Sequence, residues 1–318
     1  MSDILNIGIC TVDVIARTID DFPPPGGLRL FDDLTMTTGG NATNCSIALA
    51  RMGVPCDIIT KVGCDPLGDF VVNQLYKYNI CADCVIRDEN VHTPYTFVCV
   101  LSSGQRSLLH TLGTNGTLSF EDIDLGMVRR ARFCLVTGTM LMPALDGEPT
   151  ARLLSEVRRG GGITLLDTVY TDAVSRDGWH AKVYPALPVL DYFIPSYPEA
   201  RILTGLDNPA EMARALQDQG CRNVIVKLDE RGAFCRDSHG TEMIVPAYQV
   251  KRVVDTTGAG DSWCAGFLAG LSSGRDIAEA ALLGNATAAH CIQASGASTG
   301  IPDIEQIREF QRQTPLRK

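Results

Sequence analysis

The chain has 318 residues, 45% of them hydrophobic and 20% charged, with a formal net charge of -9, a balance that suits one large α/β domain with a small appendage. No Lys/Arg block marks a nucleic-acid footprint, and no stretch of about 18 uncharged apolar residues marks a membrane span. The residues after Met1 show neither a basic nor a long apolar leader segment, so no export signal is expected, and the 12 scattered cysteines suit free thiols in a reducing cytoplasm.

The first apolar, β-prone segment, Ile4–Ile15, predicts one strand. Prolines and glycines punctuate Asp20–Gly27, and the loose alternation of Arg29–Thr38 predicts a pair of short strands. In Gly39–Gly53 (GGNATNCSIALARMG), Cys45, Ala48, Leu49 and Met52 recur at helical spacing and Gly53 is a stop. A strand at Ile58–Val62 and a helix at Leu67–Tyr78 follow. Cys81 and Cys84 form a C-x-x-C without a second pair or nearby histidines, so zinc is not expected. Tyr95–Leu101 and Ser107–Leu112 flank a Ser-Gly-Gln turn and predict a hairpin.

From there the pattern alternates. Strands are predicted at Phe133–Thr137, Ile163–Asp167, Tyr192–Pro195 and Val224–Leu228. Helices are predicted at Glu148–Arg159, Tyr197–Leu203 and Pro209–Gln219. Ala233–Val245 predicts another hairpin, and two long helices follow near Gly260–Ser273 and Ile277–Gln293. Such alternation implies a mainly parallel sheet covered on both faces. The early extra strands do not fit that sheet and are assigned to a small β lid made from residues 12–38 and 91–112 of a single domain spanning 1–318. The N-x-[ST] patterns at Asn41, Asn115 and Asn285 are not expected to carry glycans.

The string that carries chemistry is DTTGAGDSWCAGFLAGL, Asp255–Leu271. It joins a β-prone run, Val250–Val254, to a helix whose apolar face includes Trp263, Phe267 and Leu271. A glycine-rich turn there presents free backbone N–H groups and the positive end of a helix, which suits a phosphoryl group. Gly258 and Gly260 permit close approach, and Asp261 places a carboxylate beside that anion. An acid there has a use if it accepts a proton from an attacking hydroxyl; a plain helix start with Asp in the first turn is the other open reading. Neither a G-x-x-x-x-G-K-[ST] loop nor a G-x-G-x-x-G fingerprint is present.

DTTGAGD resembles the signature of the ribokinase-like, PfkB-type carbohydrate kinases. GGNATNCSIALARMG resembles the family's N-terminal substrate motif, GICTVDVI its opening strand, and VIVKLDERGAF, Val224–Phe234, its nucleotide-side strand and turn. The similarity runs from about Ile7 to Pro302. It implies a three-layer α/β sandwich with a mainly parallel central sheet and a β lid, and ATP- and Mg²⁺-dependent phosphorylation of a sugar hydroxyl. It also implies pairing of two copies through the lid.

The resemblance assigns residues one by one. Asp261 is implied as general base, with Gly258, Ala259 and Gly260 as the anion hole. Asp13, Gly39, Gly40 and Asn44 are implied as holders of substrate hydroxyls; a solvated strand-end acid (Asp13) and a helix cap (Asn44) are the alternatives. Glu199 matches the glutamate that organises Mg²⁺ through water, or is an early-helix acid. Ser196 stands where the family has Asn. Lys227 and Asp229 occupy a Thr-x-Gly nucleotide contact, with Gly232 in the following turn. Asn285 matches the border of the adenine pocket, or is a packed amide. Asp255, Thr257, Gly296 and Gly300 match a K⁺ site that some members carry.

Substrate identity is less constrained. Asn41 stands where ribokinase itself has Lys, and Asp167-Thr168-Val169 replaces Asp-Pro-Asn. Arg106, on the lid hairpin, reads as a solvated charge, with reach to a substrate as the alternative. Three functions remain in play: a sugar kinase, a nucleoside kinase using Phe31, Tyr95 or Phe97 for stacking, and an inactive sugar-binding member.

Overall fold

The computed structural model describes residues 2–103 and 105–317. In chain order its strands are β1 (Ile4–Gly8), β2 (Thr11–Arg17), β3 (Asp33–Gly39), β4 (Cys56–Gly63), β5 (Val85–Asp88), β6 (Tyr95–Val100), β7 (Arg106–Thr111), β8 (Phe133–Thr139), β9 (Ile163–Thr168), β10 (Tyr192–Phe193), β11 (Asn223–Lys227), β12 (Ala233–Arg236) and β13 (Glu242–Val245). The α-helices are α1 (Asn41–Arg51), α2 (Pro66–Lys77), α3 (Leu125–Val128), α4 (Glu148–Arg159), α5 (Arg176–Val183), α6 (Tyr197–Thr204), α7 (Pro209–Asp218), α8 (Ala259–Ser272), α9 (Ile277–Cys291) and α10 (Ile304–Gln313).

Nine strands form one sheet in the order β13-β12-β11-β10-β9-β8-β1-β4-β5. All its pairings are parallel except β11–β12 and β12–β13. Its central strands β1, β4 and β8 are buried on both faces, and side chains along the sheet alternate between two cores. Leu5, Ile7, Cys134 and Val136 point toward the core shared with α4 to α7, where Trp179 and Phe193 are fully buried. Ile4, Phe133 and Leu135 point to the opposite core, shared with α1, α8 and α9. These are the three layers the alternating pattern implied.

The second sheet has the order β3-β2-β6-β7. Ile4–Ile15 is therefore not one strand: it divides between the two sheets at Ile9-Cys10. The side chain of Asn115 holds that junction, accepting from Cys10 N at 3.2 Å and donating to Cys10 O at 2.7 Å. Likewise Arg29–Thr38 supplies one strand, not two, because only β3 finds a partner, in β2. Val250–Val254 is not a strand; Val253 and Val254 are 52% and 45% exposed, since the chain has already left the sheet edge at β13. Helices α3, α5 and α10 and strand β5 lie outside the sequence expectations.

Candidate active site

Helix α8 begins after Gly258, whose φ of 75° is left-handed. A side chain there is excluded twice, by that conformation and by Ala297, whose Cβ would lie 2.5 Å from an added one. Gly260 differs. A methyl on it would meet, among the described residues, the Lys227 ammonium alone within 4 Å, at 3.5 Å. Packing does not demand that glycine; open space lies beside it, at the mouth of the helix.

Asp261, in the first turn, is buried, 7% exposed. Its Oδ1 accepts from Asn41 Nδ2 at 2.7 Å and its Oδ2 from Asn44 Nδ2 at 2.8 Å. Burial pushes the carboxyl up to about 6. The Asn44 hydrogen bond opposes that rise, the charge of Asp167 adds to it, and Lys227 and Asn41 oppose it. Both asparagines lie in the first turn of α1, which starts after Gly40, so two helix N-termini meet at this carboxylate. Asn44 is buried at 5% exposure, and its Oδ1 has no partner among the described residues. A buried acceptor in that position calls for a donor from outside the chain.

Beside Asp261 lies a cavity of about 910 Å³. Its walls include Asn41, Gly258, Ala259, Gly260, Asp261, Lys227, Asp229, Gly232, Ser196, Glu199 and Asn285, with Ala288 and Ile292 on an apolar side. Asp13, Gly39, Gly40 and Asn44 do not line it; they adjoin it through Asn41 and Asp261. Asp13 lies against Gly39, where an added Cβ would stand 2.5 Å from its Oδ2. Burial holds the Asp13 carboxyl above its usual range, against a Thr96 hydrogen bond and the Arg106 charge. Asp13 is thus a partly buried lid carboxylate, not a solvated strand end.

Within the cavity Lys227 Nζ donates to Asp167 Oδ1 at 2.5 Å, and the two side chains are 12% and 2% exposed. Burial works against the charged ammonium, but the Asp167 carboxylate prevails and raises its pKa. Asp167 Oδ2 accepts from Thr137 Oγ1 at 3.1 Å. Glu199 Oε2 accepts from Thr168 Oγ1 at 2.9 Å and from Ser196 N at 2.6 Å, forming a capping box with Ser196. Burial lifts the Glu199 carboxyl above its ordinary range, with Lys227 opposing. Glu199 is therefore a helix-capping acid and a cavity wall at once, and Ser196 keeps the capping role open to an Asn. Asp229, where the family pattern has Gly, keeps the left-handed conformation with a φ of 52°, which Asp tolerates better than most residues.

At Asn285 the structure joins the two open readings, and at Arg106 it corrects one. Asn285 borders the cavity, but its Oδ1 accepts from Trp263 Nε1 at 2.7 Å and its Nδ2 donates to Val245 O and Pro246 O at 3.0 Å. It is thus a cavity-wall residue and a packed amide at once, with its Nδ2 committed to two backbone carbonyls. Arg106 is not a solvated hairpin charge: its Nη2 lies 2.9 Å from Asp255 Oδ2 and its Nη1 donates to Thr257 Oγ1 at 2.9 Å.

The K⁺ candidates do not fit a cation. Asp255 Oδ1 accepts from Thr257 N at 3.0 Å, and Oδ2 accepts from Gly296 N at 3.0 Å besides its pairing with Arg106. The carbonyl of Thr257 takes the thiol of Cys291 at 3.4 Å. At Gly300 an added Cβ would stand 2.7 Å from His290 O, so that glycine serves close packing.

The sequence reading assigns no site role to Asn41, Asp167, Thr168 or Thr96. Asn41 and Asp167 had been noticed as departures from a pattern, and the departure was the available signal. Thr96 lies opposite Asp13 in the β2–β6 register, and its Oγ1 is 3.0 Å from His110 Nδ1 on β7. Tyr95 and Phe97, on either side of Thr96, point to the other face of that sheet.

The chain matches, over residues 1–304, the model of the pfkB family carbohydrate kinases. It is 27% identical to a ribokinase of Staphylococcus aureus over 92% of this chain and 94% of the relative. It is 28% identical to a 2-dehydro-3-deoxygluconokinase of Bacillus subtilis over 90% of each. A solved structure of an Arabidopsis thaliana ribokinase, complexed with ribose and ATP, superposes with a TM-score of 0.86 at 22% identity, covering 98% of this chain and 99% of that one. The signature string at the head of α8, the fold around it and this match over nearly the whole length place the chain in the pfkB family of carbohydrate kinases.

Proposed function

We propose that the protein transfers the γ-phosphoryl group of ATP to a hydroxyl of a sugar. The observation that carries this is the buried Asp261 carboxylate, held by Asn41 and Asn44 beside the open space at Gly260 and an Asn44 Oδ1 that has no partner among the described residues.

In this reading the acceptor hydroxyl lies between Asn44 and Asp261. Asp13, Gly39 and Gly40 hold further hydroxyls of the sugar. Asp261 takes the proton as the oxygen attacks, and the amides of Gly258, Ala259 and Gly260 face the charge on the phosphoryl oxygens. The nucleotide occupies the neighbouring cavity, with Ser196, Lys227, Asp229 and Gly232 around its phosphates and ribose, and Ala288 and Ile292 against its base. Lys227, next to Gly260, brings a positive charge to the transferring phosphate. The adenine meets Asn285 only by packing.

Among the described residues no group of three or more His, Cys, Asp or Glu forms a metal cage. The oxygen-rich wall at Glu199 suits a Mg²⁺ that arrives with the polyphosphate and keeps its waters. When bound, that ion neutralises phosphate charge. Excess EDTA should therefore leave no ADP release.

The acceptor is read as a sugar and not a nucleoside, because Tyr95 and Phe97 point away from the Asp13 face. The intact Asp261 environment argues against an inactive binder. Residues 12–38 and 91–112 act as the lid of one domain. Its outer face carries Leu34, Met36 and Leu109, 52%, 41% and 56% exposed, an apolar face suited to a second copy. Sedimentation should find a dimer that Leu34→Glu with Leu109→Glu converts to monomer; a wild-type monomer removes this part of the reading. The 12 free thiols suit a reducing cytoplasm; oxidant-free folding with all thiols titratable after denaturation checks this.

The functional test is a coupled ADP-release screen over sugars, sugar acids and nucleosides, run in parallel with Asp261→Asn. An acceptor should be found among the sugars or sugar acids, and the variant should be slower by about 10²–10⁴-fold. Silence with every acceptor, or a variant at the parental rate, overturns the assignment.

A further inference from the structure

Arg106 and Asp255 come from opposite parts of the molecule. Arg106 opens β7 at the rim of the four-stranded sheet; Asp255 begins the DTTGAGD string that leads into α8. The guanidinium engages that string in two places, Asp255 Oδ2 and Thr257 Oγ1, both at 2.9 Å. By strand register Arg106 shares its face of the small sheet with Asp13, Thr96 and His110, and its charge is felt at Asp13. It therefore stands between the sugar side of the lid and the loop that shapes the anion hole.

Asp255 is buried at 8% exposure, so an uncompensated charge would be costly. Burial acts to raise its pKa, but the hydrogen bonds from Arg106, Gly296 N and Thr257 N prevail and hold it well below the usual carboxylate range. The two backbone amides belong to the same loop cluster and carry no net charge. The full positive charge facing Asp255 arrives from the lid. It occupies the place where a K⁺ would have to meet this carboxylate.

We propose that Arg106 is a built-in counter-ion for Asp255, replacing a monovalent cation and bracing the anion-hole loop when the lid is down. Arg106 is then a positioning residue, acting on the phosphate through the loop and not by contact. A lysine cannot reproduce it, since one ammonium does not present the planar fork that reaches a carboxylate and a hydroxyl together.

The experiment compares KCl with tetramethylammonium chloride at matched concentration, for wild type, Arg106→Ala and Arg106→Lys. The first readout is thermal stability, which does not depend on the kinase reading. Wild type should melt at the same temperature in both salts. Arg106→Ala should gain about 2 °C specifically in KCl, as a site that binds an ion when the guanidinium is gone.

The second readout, which rests on the kinase reading, is the rate with the acceptor found by screening. Wild type should run equally in both salts. Arg106→Ala should lose kcat on the order of tenfold in tetramethylammonium chloride with KM for ATP little changed, and recover in part with KCl or added guanidinium. Arg106→Lys should lie between. K⁺-specific stabilisation or activation of wild type overturns the proposal, and so does an Arg106→Ala protein indifferent to the cation. If Arg106→Ala does not fold, Arg106→Lys and the wild-type comparison still decide. If wild type phosphorylates nothing, the kinase reading fails while the melting comparison stands.

Discussion

The environment of Asp261 predicts an acid limb in the pH–rate profile and the direction in which a neighbour moves it. A general base works in its ionised form, so with a pKa of about 6 the activity should rise through that pH and level off above it. At pH 5 about one-tenth of the sites would be ionised, and kcat/KM should be roughly tenfold below its plateau. Asn44→Ala removes the 2.8 Å N–H donor that favours the charged form. A hydrogen bond to a charged acceptor contributes about 1.5–3 kcal/mol, so the limb should move up by roughly one to two pH units. The assay is coupled ADP release, read as kcat/KM from about pH 5 to about pH 9 in buffers of constant ionic strength. Asn44→Ala should also raise KM for the acceptor, but a binding loss alone shifts the curve down and not sideways. A wild-type profile flat across pH 6, or an Asn44→Ala limb at the parental midpoint, refutes the assignment of the base.

Gly260→Ala should fold normally, since its methyl meets the Lys227 ammonium at an ordinary 3.5 Å, yet transfer phosphate at least about tenfold more slowly by crowding the anion hole; a normal rate with normal melting would clear that space of a catalytic role. Lys227→Met strands the Asp167 carboxylate and should destabilise by about 3–5 kcal/mol in urea unfolding, whereas Lys227→Met with Asp167→Leu should cost less than the single change. Additive losses would show that the buried pair is not coupled.

Much of the fold was legible because its signals are local. The period of α1, the β–α alternation and the glycines before α8 each sit within one element, and Glu148–Arg159 formed the helix its pattern predicted. The division of Ile4–Ile15 was not legible, because the clamp at Cys10 is Asn115, 105 residues away. The site repeats the lesson. Asp261 and its glycines announce themselves in one string, but Asn41 reaches Asp261 across 220 positions and Arg106 reaches Thr257 across 151. At Asn285 the sequence left a pocket-border residue and a packed amide both open, and tertiary packing against Trp263 made it a packed amide at the cavity wall.

The charge arrangement around Asp261 also explains why its pKa sits near 6. Two helix N-termini face it, and both favour the ionised form; a free ammonium as a third partner would make it a poor base. Lys227 is close enough to act on it, yet its Nζ is held 2.5 Å from Asp167 Oδ1. Asp167 thereby does two things at once: it ties up the ammonium and adds a negative charge that raises the Asp261 pKa. Asp167→Asn removes both effects while keeping the shape, so it should move the acid limb downward, opposite in sign to Asn44→Ala. The same titration series reads both variants. Limbs that shift in the same direction would mean that the midpoint belongs to some group other than Asp261, because no single carboxylate between these two neighbours can respond that way.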